Sequence, residues 1–166
     1  MQTSSALLLT AAKLAELVAL GHNRISQIYL HWTAGRYAQL YDDYHFNIDA
    51  DGSIYQTCTQ LTELKSHTWH RNTGAIGIAL CCACGALPHN GRDTEFGKFP
   101  PTPRQIDAAG KLVAKLARRG SISLSTAGTS LLTAKPRLST ATDRTAATPK
   151  PAGTYGICAI HPATEQ

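Results

Sequence analysis

The sequence predicts an α/β fold, a single mixed β-sheet covered by helices. Three observations carry this: an uncharged apolar run from Ala75 to Ala83, the turn Ala50-Asp51-Gly52 between two β-prone segments, and a capped amphipathic helix that opens at Thr102. The run suits a strand covered on both faces and so central in its sheet. Asp-Gly accepts positive φ, so the segments Asp43–Asp49 and Ser53–Thr57 are expected to pair as a hairpin.

The remaining elements follow in chain order. Leu7, Ala11, Leu14, Leu17 and Val18 recur at helical spacing, with caps offered by Thr3 to Ser5 and a stop at Gly21, which predicts an opening amphipathic helix. Ile25 to His31 is a β-rich run after it. Thr102 caps Pro103 with Gln105 three residues on, and Ile106, Ala109, Leu112, Val113 and Leu116 make one apolar stripe ending at Gly120. From Gly120 onward Thr, Ala, Ser, Pro and Gly supply 30 of 47 residues and neither period survives. By composition residues 120–166 read as an aberrant or disordered tail on a core of residues 1–119.

Composition narrows the functional classes. The 166 residues carry 16 Lys and Arg against 11 Asp and Glu, a net charge of +5, with 43% hydrophobic residues and a mean hydropathy of −0.17. That excludes a wholly disordered chain, and no apolar run approaches the roughly 18 residues needed to span a bilayer. Only 16% of residues are charged, and the cations are scattered apart from Arg118-Arg119 at the end of a helix, where cations belong. No nucleic-acid partner is expected. The N-terminus lacks a basic region before its leucines, so no secretion signal is read, and the expected location is cytoplasmic until release. Five cysteines without a framework spacing suit a reducing compartment, and the alternating faces of a strand keep Cys81, Cys82 and Cys84 from converging on one ion.

Several residues are candidates for chemistry. His31 stands at the end of an apolar strand before Trp32-Thr33-Ala34-Gly35, where an imidazole reaches a cleft as a zinc ligand; on position alone a half-buried strand-end histidine is the more ordinary reading. Alternation through Tyr44-His45-Phe46-Asn47-Ile48-Asp49 sets Tyr44, Phe46 and Ile48 on one face and His45 and Asn47 on the other, so Tyr44 is either a hydroxyl beside a reacting carbonyl or a core tyrosine. His67-Thr68-Trp69-His70-Arg71-Asn72 reads as a ligand-bearing loop or as a solvated loop with one packed Trp.

Taken in order, Leu30-His31-Trp32-Thr33-Ala34-Gly35, Tyr44 to Gly52, Ser66-His67-Thr68, Asn72, and Ala75-Ile76-Gly77-Ile78 resemble the N-acetylmuramoyl-L-alanine amidase superfamily, which includes phage endolysins and peptidoglycan recognition proteins. With the helix start at Pro101 to Gln105 the resemblance covers residues 25 to 119. It implies a zinc-activated water that cuts the amide between N-acetylmuramic acid and L-alanine of the stem peptide, and a monomer whose partner is peptidoglycan. His31 matches the first zinc ligand, Tyr44 the catalytic tyrosine of phage-lysozyme-like members, and His67, Asn72 and Trp32 positions of the substrate groove. The alternative is a peptidoglycan-binding module without catalysis.

Two departures stand out. The glutamate that many members carry after Ile-Gly-Ile is Ala79 here, and the tail lacks the histidine and the late Asp or Cys expected as second and third ligands. Back-translating Leu132 to Cys158 and shifting the frame leaves about one free base per codon, and within that freedom the segment reads HREAAAVDGYGPDSGDPETRWDLWYL without a stop. That string resembles the absent end: its first histidine and the aspartate of RWDL match the two ligands. It also carries more acidic than basic residues, so the net charge of +5 is a product of the frame.

Overall fold

The chain orders its elements by alternation of apolar runs with turn residues. A computed structural model describes residues 5–21, 23–89, 94–120 and 158–160. The order is β1 (Leu7–Leu8), α1 (Ala11–Gly21), β2 (Gln27–Trp32), β3 (Phe46–Ile48), β4 (Ile54–Gln56), β5 (Ala75–Leu80), β6 (Leu87–Pro88), β7 (Thr94–Glu95), α2 (Pro103–Gly120) and β8 (Cys158–Ile160). Six strands form one mixed sheet in the order β1-β4-β3-β5-β2-β8, and β6 pairs with β7 apart from it. The expected α/β class is what the structure shows.

The most apolar strand is the central one. Every residue of β5 is buried, and it runs parallel to both neighbours, pairing His31 with Ala79 on β2 and Asn47 with Ala79 on β3. The hairpin forms as expected but shorter: β3 and β4 pair antiparallel around a turn in which Gly52 has φ 88° and Asp51 accepts hydrogen bonds from the Ser53 N–H and hydroxyl. Leu7 was expected on the helix stripe, but it lies with Leu8 in β1 against β4, and the cap of α1 is Thr10, whose hydroxyl oxygen accepts from the Lys13 N–H. The helix therefore starts after the leucines.

Period-2 alternation splits the sheet into two unlike faces. Ile28, Phe46, Ile48, Ile76, Ile78 and Leu80 pack with Leu14, Leu17 and Val18 of α1 and Leu112, Val113 and Leu116 of α2 in one core. Both helices thus cover the same face, and the opposite face, with Tyr29, His31, His45 and Asn47, is roofed by loops. α2 is fixed by more than its stripe. Thr102 and Gln105 form a reciprocal capping box, and the fully buried Gln105 amide also donates to the carbonyls of Ile48 and Cys81, tying α2 to the ends of β3 and β5.

The tail differs from its composition at one point. Cys158–Ile160, part of the apolar run Ile-Cys-Ala-Ile, adds to the edge of the sheet antiparallel to β2. The rest of the expected disordered or out-of-frame segment, His161 included, lies outside the described residues. Among those residues no helix is long and apolar enough to cross a membrane.

Candidate functional site

On the loop-covered face the chain gathers three histidines and two tyrosines. His31 is the last inward residue of β2, and its Nε2 lies 3.3 Å from Nδ1 of His67. The Tyr44 ring sits 5.2 Å from His31 between centroids, and His67 lies 5.8 Å from both Tyr29 and His45.

Each group is placed by a local cause. Gly77, in mid-strand, leaves the space for His67: a Cβ there would stand 2.5 Å from the His67 Cγ. His67 thus packs directly against the backbone of the central strand. Asn47, fully buried, accepts from the Tyr41 N–H and donates to the Tyr41 carbonyl, which pins the loop leading to Tyr44, and the Thr57 hydroxyl donates to the Tyr44 carbonyl. Tyr44 was expected on one face with Phe46 and Ile48. Regular strand starts only at Phe46, so the alternation does not reach back, and Tyr44 turns to His31 instead.

His45 is a structural histidine. Its Nδ1 accepts from the Gly77 N–H at 3.1 Å, and its Nε2 donates to the Glu63 carbonyl at 2.9 Å, which settles the tautomer and uses both nitrogens. Trp32 does not join the cluster. One step from His31 on β2, it points to the helix side, where its ring meets Phe96 edge-on at 5.6 Å and packs on the core. Asn72 lies at the cleft beside His67, but its Oδ1 is committed to the Thr68 N–H and hydroxyl, so its amide N–H groups are what it offers a ligand.

Burial sets the protonation states. It lowers His31 to about 3, with His67 adding to the effect, and it lowers both His45 and His67 to about 4. All three imidazoles are neutral at pH 7. Burial raises Tyr44 to about 12, with Asp43 adding to it, so its hydroxyl keeps its proton. A folded pKa below the unfolded 6.5 means that the unfolded chain binds more protons between the two values, so stability is complete above pH 6.5 and drains as pH falls toward 4. For His45 alone this amounts to roughly 3 kcal/mol. Urea midpoints measured at pH 7 and pH 4.5 are expected to fall sharply, and equal midpoints would contradict this reading of the cluster.

The donors fit a metal in part. Two imidazoles on one tetrahedral zinc, at roughly 2.0–2.1 Å each, have nitrogens about 3.3 Å apart, the separation found between His31 and His67. Among the described residues no group of three or more His, Cys, Asp or Glu is placed to hold a metal ion. Two other side chains that could stand in as ligands are not placed to do so: His45 has both nitrogens engaged, and the register sets Cys158 opposite Leu30, not His31. Ala79 holds the place beside His31 that resemblance gives to a glutamate.

A family model described as N-acetylmuramoyl-L-alanine amidase matches residues 21–148. The chain belongs to that family. The match spans β2 through α2, and with them the amidase fold and every residue of the His31, Tyr44 and His67 cluster. No curated protein and no solved structure matches the chain. Amidases of this family act on peptidoglycan.

The sequence reading missed three residues that build this site. Gln105 was read as a cap but is a clamp between strands. His45 was set only on the face opposite Phe46 and Ile48 and proves to be a brace between Gly77 and Glu63. Gly77 carried a signal, since glycine inside a central strand marks a close approach.

Proposed function

We propose that this amidase is a peptidoglycan hydrolase of endolysin or prophage type that cuts the amide between N-acetylmuramic acid and L-alanine of the stem peptide, with His31 as a zinc ligand. The carrying observation is the His31 Nε2 to His67 Nδ1 contact of 3.3 Å beside Tyr44, in a chain of this family. Zinc, when bound, lowers the pKa of its water to about 7 and polarises the carbonyl. The neutral His31 keeps a lone pair free for the ion. Tyr44, protonated at neutral pH, donates a hydrogen bond to the oxygen that gains charge as the amide carbon becomes tetrahedral. His67 and Asn72 border the cleft in which the muramyl peptide lies.

His31 alone is fewer than the three protein ligands a catalytic zinc takes, so this chain holds the ion weakly and turns over slowly. The reading places the further ligands in the alternative frame of Leu132 to Cys158, and it has the enzyme stay in the cytoplasm until it is released to the wall.

The test is the appearance of alanine amino termini from purified peptidoglycan, with zinc per chain measured in parallel. Slow release that His31→Ala abolishes, and well under one zinc per chain, are expected. Release equal in both proteins would overturn the role of His31, and a full zinc complement would overturn the impairment.

A further inference from the structure

Trp69 is 84% exposed and Leu64 71%, and both rim the cleft of about 540 Å³ whose walls include Ser66, His67, Thr68, His70 and Asn72. Of the two readings of this loop, ligand-bearing or solvated with one packed Trp, the exposure of Trp69 rules out the packed indole. A lone exposed leucine is ordinary on a surface; an indole held out of the core beside a cleft is not.

The exposure is built in. Asn72 Oδ1 accepts from both the N–H and the hydroxyl of Thr68, at 2.8 and 2.7 Å, and so closes residues 68–72 into a tight loop. His70 sits in the left-handed region at φ 57°, which turns the chain so that its imidazole stands edge-on to the indole, with centroids 4.5 Å apart at 81°. An edge contact holds the indole while leaving a ring face open. The loop thus presents a fixed flat apolar plate, ringed by hydroxyl, amide and imidazole groups. The residues lining the cleft include no Lys, Arg, Asp or Glu.

That combination matches one ligand chemistry. A pyranose has an apolar face of C–H groups and a rim of hydroxyls, so it lies against an aromatic plate and hydrogen-bonds around it. A nucleic-acid strand would call for cations along the cleft, and a lipid or helix partner for a larger apolar patch than Trp69 and Leu64 provide. We propose that Trp69 is a sugar platform, stacking an N-acetylated pyranose ring of the glycan strand next to His67 and, through it, next to His31. The proposal rests on the peptidoglycan reading and assigns the glycan, not the stem peptide, to this side of the cleft.

Two probes that lack the scissile amide separate the halves of the substrate: tetra-N-acetylchitotetraose and the free stem tetrapeptide, each titrated calorimetrically into the full chain. The chain is expected to bind both. Trp69→Ala is expected to weaken the sugar by about tenfold and leave the peptide unchanged, and Trp69→Phe to keep most of the sugar affinity. Because Trp69 lies outside the core, thermal melts of the variants should match the parent. Sugar binding that is absent in the parent or unchanged in Trp69→Ala, with peptide binding intact, would overturn the platform alone. A parent that binds neither probe would overturn it together with the peptidoglycan reading.

Discussion

Gly77→Ala is expected to destabilise the chain by about 2–3 kcal/mol and to drive His67 away from His31. The new Cβ would fall 2.5 Å from Cγ and 2.6 Å from Cδ2 of the imidazole, well inside contact distance. The strand cannot yield, because β5 is hydrogen-bonded on both sides and both backbone groups of Gly77 are engaged by His45. His67 must move instead, and its contact with His31 breaks. Gly110 is the control: it lies inside α2 with open space around its Cα, and alanine there should stabilise by about 0.5–1 kcal/mol through helix propensity. Urea denaturation of the two variants checks both signs. A Gly77→Ala protein as stable as the parent, with the histidine ring resonances unmoved, would show that the close packing is not what places His67.

A second large effect is expected from the reading frame. A chain carrying HREAAAVDGYGPDSGDPETRWDLWYL in place of Thr133–Cys158 should hold about one zinc and release alanine amino termini at least a hundredfold faster. Losing even the indirect supports of a metal ligand weakens such sites by roughly 10–100-fold, so two added ligands should exceed that. Elemental analysis and the amine assay measure the gain. Resequencing codons 115 to 166 tests the premise, and a clean frame with codons incompatible with that string would remove it. Equal zinc content in the two chains would remove the consequence.

How much was legible beforehand depends on the range of the forces involved. Local signals worked: Asp51-Gly52 made its hairpin, the uncharged run became the central strand, and Thr102 with Gln105 capped α2. Face assignments held inside strands and failed at their ends. Tyr44, two residues before Phe46, follows the pinned loop and not the pleat, while Trp32 obeys the pleat and so parts from His31. What stayed hidden was long-range: the His31–His67 contact joins residues 36 apart, and the second role of Gln105 links α2 to carbonyls 24 and 57 residues away. No periodicity encodes such pairs. Gly77 was the one trace of them in the linear order.

The central claim, that this face cuts the muramyl–alanine amide through His31, is tested most directly by mass spectrometry of a disaccharide peptide incubated with the chain and with His31→Ala. The account predicts free disaccharide and a peptide beginning with L-alanine, formed slowly by the chain and not by the variant. A different bond cut, or no difference between the two proteins, would contradict it.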